Sequence, residues 1–155
     1  MIQETNGRGI VNAQCLSHGT ITCRDLVKSR RFYEEFLGLE VVHHIQPAMV
    51  LRLATNVYIA CVCLGEKAPP NTVWSHFGFN VASPEEVDRI HQEALRLMDD
   101  YELQHIDPPR PLHGAYSFYL QDRDTNWWEI QYDQRAINDF FALPDLDAPA
   151  TAEGG

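Results

Sequence analysis

The residues best suited to chemistry are two histidines and a glutamate, each set in a strand-like run. Leu16-Ser17-His18-Gly19-Thr20-Ile21-Thr22-Cys23 returns as Trp74-Ser75-His76-Phe77-Gly78-Phe79-Asn80-Val81. Each copy is a Ser-His followed by alternating small, polar and apolar residues, which is a strand pattern. A third run, Trp127-Trp128-Glu129-Ile130-Gln131-Tyr132, carries a carboxylate. Alternation puts Trp127, Glu129 and Gln131 on one face and Trp128, Ile130 and Tyr132 on the other. A lone glutamate on a strand usually faces solvent, but the matched histidines change that reading. Repeat symmetry places His18 and His76 alike about a common centre, where a neighbouring strand can add Glu129. Two imidazoles and one carboxylate on rigid strands, with other positions open, suit non-haem Fe(II), suit Mn(II) as well, and suit Zn(II) less distinctively. The expectation is one divalent ion, Fe(II) first and Mn(II) or another divalent metal next, on His18, His76 and Glu129.

Tyr119 and Glu129 each lie five residues from Asp124. A hairpin turning about Asp124 sets them opposite one another, with Cβ atoms ~5 Å apart. Tyr119 would then donate a hydrogen bond beside the metal; an ordinary strand tyrosine is the equal alternative.

The elements that must hold these groups follow the repeat. After the first strand, Asp25 is placed to cap a helix carrying Phe32, Tyr33, Phe36 and Leu37 and closed by Gly38. After the second, Ser83-Pro84-Glu85-Glu86 reads as a capping box, with Val87, Ile90, Ala94 and Leu97 as the apolar stripe behind it. Further strands are expected over 40–45, 49–53 and 57–64 in the first half and 102–106, 116–120 and 127–132 in the second. The chain thus reads βαβββ twice, an α+β fold, joined by the turn-rich segment 65–71. The expected division is an N-terminal extension over 1–14, one domain over 15–135 with modules at 15–65 and 73–135, and a C-terminal tail over 136–155. Within that tail, 137–143 is expected to form a short helix or lid.

Twelve basic and twenty-two acidic residues give a net charge of −10. Without a basic cluster, neither nucleic acid nor an anionic membrane is an expected partner. No signal-peptide pattern opens the chain and no apolar run approaches the ~20 residues of a membrane span, so a cytoplasmic location is expected. Cys61 and Cys63 sit two apart on one strand, poorly placed to bridge each other, and reduced thiols are expected for all four cysteines.

The repeated βαβββ units, Phe32-Tyr33-Glu34-Glu35-Phe36-Leu37-Gly38-Leu39, and Asp122-Arg123-Asp124-Thr125-Asn126-Trp127-Trp128-Glu129 together resemble the vicinal oxygen chelate superfamily. It includes glyoxalase I, fosfomycin- and bleomycin-resistance proteins and type I extradiol dioxygenases. The resemblance spans roughly residues 15–133. It implies paired modules curled into a cup-shaped sheet around a metal, with His18, His76 and Glu129 as a three-ligand set. The glyoxalase I-like fourth ligand, a glutamate on the last strand of the first module, has no counterpart in 57–64, and bleomycin-type binders lack the triad. What this leaves is closest to the extradiol enzymes, which have a tyrosine ten residues before the ligand glutamate, as Tyr119 is. They also have a histidine a few residues before that tyrosine, which His113 resembles at shorter spacing. On a straight strand six residues would carry His113 ~20 Å from Tyr119, so it reaches the site only if 108–112 folds back. The acid–base histidine of those enzymes, expected on the last strand of the first module, is missing.

The leading expectation is therefore an Fe(II)-dependent dioxygenase acting with O2 on an aromatic diol or related oxygen-chelating molecule. The alternatives are a non-redox metal-dependent lyase, transferase or isomerase of the same superfamily, and a small-molecule binder with a vestigial site. The resemblance also implies a homodimer, and leaves open whether the site forms within one chain or across two.

Overall fold

A strand, a helix and three more strands build the first half, and the second repeats that order with one further short strand. The computed structural model describes residue 10, residues 15–53 and residues 57–142. The first module holds β1 (His18–Cys23), α1 (Leu26–Arg31), β2 (Glu40–His43), β3 (Ala48–Arg52) and β4 (Tyr58–Cys63). The second holds β5 (His76–Asn80), α2 (Pro84–Arg96), β6 (His105–Ile106), β7 (Arg110–Leu112), β8 (Ala115–Gln121) and β9 (Trp127–Tyr132), followed by α3 (Ile137–Ala142). The expected extension over 1–14 lies outside the described residues except at position 10; the tail from 143 onward lies outside them altogether.

Each module makes its own sheet, with its first strand parallel to its last. The orders are β1-β4-β3-β2 and β5-β9-β8-β6, and β7 also pairs with β8. The other pairings are antiparallel. This mixed α+β arrangement is the repeated βαβββ architecture that the pattern implied.

Local chemistry fixes the helices. The Asp25 carboxylate accepts from the Val27 and Lys28 amides, and these bonds hold its pKa below the usual value. The turn after α1 widens to π geometry over Phe32–Phe36, which delivers Phe32 and Tyr33 fully into the core. Gly38, at φ +69°, then ends the run in a conformation that favours glycine. At α2 the Ser83 hydroxyl caps Glu86 N. The other half of the expected capping box is spent elsewhere, since Glu86 instead grips Arg89 at 2.5 Å.

One face of each sheet is buried, and a single core joins the two modules: Cys23, Met49 and Leu51 from the first sheet share it with Phe118, Leu120 and Trp128 from the second. A buried polar knot ties the same junction. Asp124, in the β8–β9 turn, accepts from Arg24 N at 2.8 Å and from the Ser29 hydroxyl. Asp122 accepts from the amides of Asp124 and Asn126, from Trp128 Nε1 at 3.0 Å and from the Tyr33 hydroxyl at 3.4 Å. Asn126 donates to Thr22 O at 2.9 Å. Burial raises the Asp122 pKa to about 7. Segment 122–126, which the sequence marks only as a turn, is thus also the clasp between modules.

Candidate metal centre

The exposed face of the second sheet carries most of the polar chemistry. Parallel pairing sets His76 beside Trp127 and Gly78 beside Glu129, while antiparallel pairing sets Tyr119 opposite Glu129. His76 Nε2 and Glu129 Oε2 lie 3.3 Å apart. His76 Nδ1 is 2.7 Å from Val73 O. A carbonyl only accepts, so Nδ1 carries the proton, and the Nε2 lone pair of the neutral ring faces the carboxylate. While the ring is neutral, two acceptors face each other, and a cation between them would satisfy both. Donors each ~2.1 Å from one ion stand ~3.0 Å apart at a right angle and ~3.4 Å apart at the tetrahedral angle. The observed spacing falls between, so the donor pair fits a divalent metal, and the Val73 carbonyl orients the ring as carbonyls behind metal-bound histidines do.

Tyr119 closes one side. Its ring packs edge-on to His76 with centroids 5.0 Å apart. Burial, and then its hydrogen bond to Glu129, push the phenol pKa up to about 12. At neutral pH it is a donor.

His18 stands apart. It lies on the first sheet, stacked on Tyr58 with centroids 4.9 Å apart and planes 9° apart, with Nδ1 2.8 Å from Ser17 Oγ. Among the described residues no three or more His, Cys, Asp or Glu side chains come together as a metal site. The chain therefore unites two of the three expected ligands, His76 and Glu129, and leaves His18 elsewhere. His113 is not brought to them either. The 108–112 segment does fold back, as β7 on β8, but His113 and Gly114 form the hairpin tip, with Leu112 paired to Ala115. His113 is exposed there, at φ +51°.

Three neighbours of Tyr119 add further polar chemistry. His105 begins β6, with Nε2 2.8 Å from Asp107 Oδ1 and its ring against Trp127 at 5.6 Å. Arg110 pairs with Ser117 in register and, with no hydrogen bond or ion pair of its own among the described residues, its charge bears on Tyr119. Ser117 is fully buried, and its hydroxyl is the one buried side-chain polar atom, among the described residues, without a hydrogen-bond partner. A bare cation beside an unsatisfied hydroxyl is the complement of an anion. The signal lay in the alternation Arg110, Ser117, Tyr119, but it depends on β7, which two prolines disguise.

No curated protein matches the chain in sequence. Among solved structures, fosfomycin resistance protein FosX from Listeria monocytogenes superposes with a TM-score of 0.63 at 24% identity, covering 81% of this chain and 96% of its own. FosX from Mesorhizobium loti gives 0.60 at 22% identity, covering 83% and 98%. A possible glyoxalase from Bacillus cereus gives 0.59 at 28% identity, covering 76% and 98%. The Listeria protein has been crystallised with Mn(II) and sulfate, and a variant of it with Mn(II) and 1S,2S-dihydroxypropylphosphonic acid. The family model described as Glyoxalase/Bleomycin resistance protein/Dioxygenase superfamily matches residues 15–130, and the chain belongs to that superfamily.

Proposed function

We propose that this chain is a divalent-metal enzyme, Mn(II) being the favoured ion, that acts without a redox step on a small anionic, oxygen-chelating molecule. The observation that carries the reading is the facing pair of His76 Nε2 and Glu129 Oε2, 3.3 Å apart with no proton between them when the ring is neutral. A second copy of the chain would supply His18 as third ligand. The exposed face of the first sheet, which presents His18 beside Tyr58 and leaves Val42 half exposed, is the surface such a copy would cover.

The bound ion supplies Lewis-acid polarisation of a substrate oxygen. Around it, Tyr119 holds its proton and donates it as a hydrogen bond to an oxygen of the substrate. Arg110 and Ser117 take an anionic group, Arg110 by charge and Ser117 by donating the hydroxyl that lacks a partner. The similarity to a protein crystallised with Mn(II) and either sulfate or a dihydroxyphosphonate supports this class over the aromatic diol expected from the sequence. The Fe(II) dioxygenase is the second reading, favoured by Tyr119 standing opposite Glu129.

The test is full-length protein loaded with Mn(II) and incubated with fosfomycin in water or with glutathione, followed by 31P NMR. Metal-dependent consumption of the phosphonate is expected. Protein that binds Mn(II) but leaves fosfomycin intact removes that substrate. Fe(II)-dependent O2 uptake with catechols would move the assignment to the second reading, and failure to bind either ion would remove both.

A further inference from the structure

The exposed face of the second sheet holds a histidine–carboxylate pair that the metal site does not use. Its rows can be followed across the strands. One runs His76, Trp127, Gln121, His105, and the next runs Gly78, Glu129, Tyr119 and, just past β6, Asp107, whose amide donates to Tyr119 O at 2.8 Å. Opposed residues share a face, so His105 and Asp107 look out on the side that carries Glu129 and Tyr119. The β6 and β9 backbones are separated by two strand spacings, about 10 Å, a gap that a small substrate held at Glu129 can cross.

The contact with Asp107 sets the tautomer of the His105 ring. Asp107 Oδ1 sits 2.8 Å from His105 Nε2, so Nε2 carries the hydrogen and Nδ1 is left with its lone pair. Trp127 lies against the ring at 5.6 Å and is itself anchored through Nε1 to Asn71 O at 3.3 Å. The ring therefore has a fixed tautomer and a wall on one side. Few other groups nearby can take a proton. His76 and Glu129 are committed to the metal, arginine stays charged, and a tyrosine is protonated at neutral pH. On the first sheet, Glu40 is held by Arg52 at 2.6 Å.

We propose that His105, oriented by Asp107, is the general base of the metal-dependent reaction. Its Nδ1 takes a proton from the attacking water or thiol: one O–H or S–H bond breaks, one N–H bond forms, and the resulting imidazolium is balanced by the Asp107 carboxylate. The proton later leaves to solvent or to the substrate oxygen that departs. This rests on the reading of the site given above, and it fills the place of the acid–base histidine missing from the first module.

The test compares wild type, His105→Gln, Asp107→Asn and His44→Gln as Mn(II)-loaded full chains. With fosfomycin as probe, His105→Gln is expected to lose about 100-fold or more in kcat with KM and Mn(II) stoichiometry held. Asp107→Asn should lose less, and His44→Gln nothing. Imidazole added to His105→Ala should restore part of the rate. Wild-type kcat in His105→Gln overturns the proposal. A second measurement is independent of turnover: carbethoxylation of His105 by diethyl pyrocarbonate, read by mass spectrometry, with and without Mn(II) plus inorganic phosphate. Protection of His105 and not of His43 is expected. If the wild type leaves fosfomycin intact, this measurement decides alone: protection upholds the placement of His105 on the ligand face, and unslowed modification overturns it. Loss of Mn(II) binding in the wild type would instead strike the functional reading.

Discussion

The two modules share a topology but divide the labour unevenly. The exposed face of the first sheet offers Tyr58, Ala60, Val62 and Val50, a largely apolar wall with His18 on one edge strand and Glu40, tied to Arg52, on the other. The corresponding face of the second offers His76, Glu129, Tyr119, Arg110, Ser117 and the His105–Asp107 pair. Both sheets bury their opposite faces in one common core. A repeat thus keeps its scaffold through the pairing of first and last strands, while its exposed face is free to change, because side chains there do not pack the interior. One module retains a ligand and a wall; the other gathers the groups that handle protons and charge.

The strongest way to break this comparison is to remove the ligand from either side. Glu129→Ala and His18→Ala should each abolish Mn(II) binding, read by equilibrium dialysis or EPR, if the wall of one copy meets the polar face of another. Mixing the two variants sharpens it. After random exchange of subunits half the dimers are mixed, and one site in each mixed dimer has all three ligands, so about a quarter of wild-type binding should return. Recovery of nothing would mean that each site draws all its ligands from one chain. Full binding by His18→Ala alone would end the idea of a divided site.

Next in size is the clasp between the modules. Asp122 is completely buried, and burial raises its pKa to about 7 in the folded chain, against an ordinary carboxyl value of 3.8. Between these values the native state holds a proton that the unfolded chain has released. Stability contributed by this group is therefore greatest below about pH 4 and falls as pH rises to about 7, after which it is level. Asp122→Asn should remove that slope from a Tm-against-pH curve. It should also cost about 1–3 kcal/mol, because an amide NH2 would face the Trp128 N–H. An unchanged slope would show that Asp122 is ionised throughout.

Much of this was legible in the sequence, for identifiable reasons. The strand Trp127–Tyr132 has the bounds that its alternation implied, and the Ser-His repeat marks β1 and β5 because short-range patterns record strand faces directly. The opposition of Tyr119 and Glu129 followed from counting about Asp124. Other features were hidden. β7 contains Pro111 and follows Pro109, which argue against a strand, yet it pairs only with β8, on one edge, where a missing N–H is tolerated. Asp122 and Asp124 have turn composition, and only their contacts with Tyr33 and Ser29 of the first module show that they are buried. The separation of His18 from His76 depends on how two sheets meet, which no local pattern encodes. His105 and Arg110 gain meaning only once β6 and β7 are laid along β8.

A smaller effect is expected at Tyr119. Removing its hydroxyl in Tyr119→Phe leaves the ring against His76 but deletes the bond to Glu129. Mn(II) affinity should fall by about tenfold, as for other groups that orient a ligand, while the fold is retained. A loss as complete as that of Glu129→Ala would make Tyr119 a ligand in its own right.

The smallest effect is expected at His113, and it tests where the polar face ends. The two-residue tip His113-Gly114 has φ of +51° and +86°, the conformation of a type I′ hairpin turn, for which Asn-Gly is the favoured pair. Arg135 Nη2 holds the tip through the His113 carbonyl at 2.7 Å, a bond that any side chain leaves intact. His113→Asn should therefore keep the register of β7 on β8 and raise stability by about 0.5 kcal/mol, visible as a small shift in denaturation midpoint, with Mn(II) affinity unchanged. If the substitution instead weakens metal binding or turnover, the imidazole is needed at the site, and the polar face extends to the hairpin tip rather than stopping at Arg110.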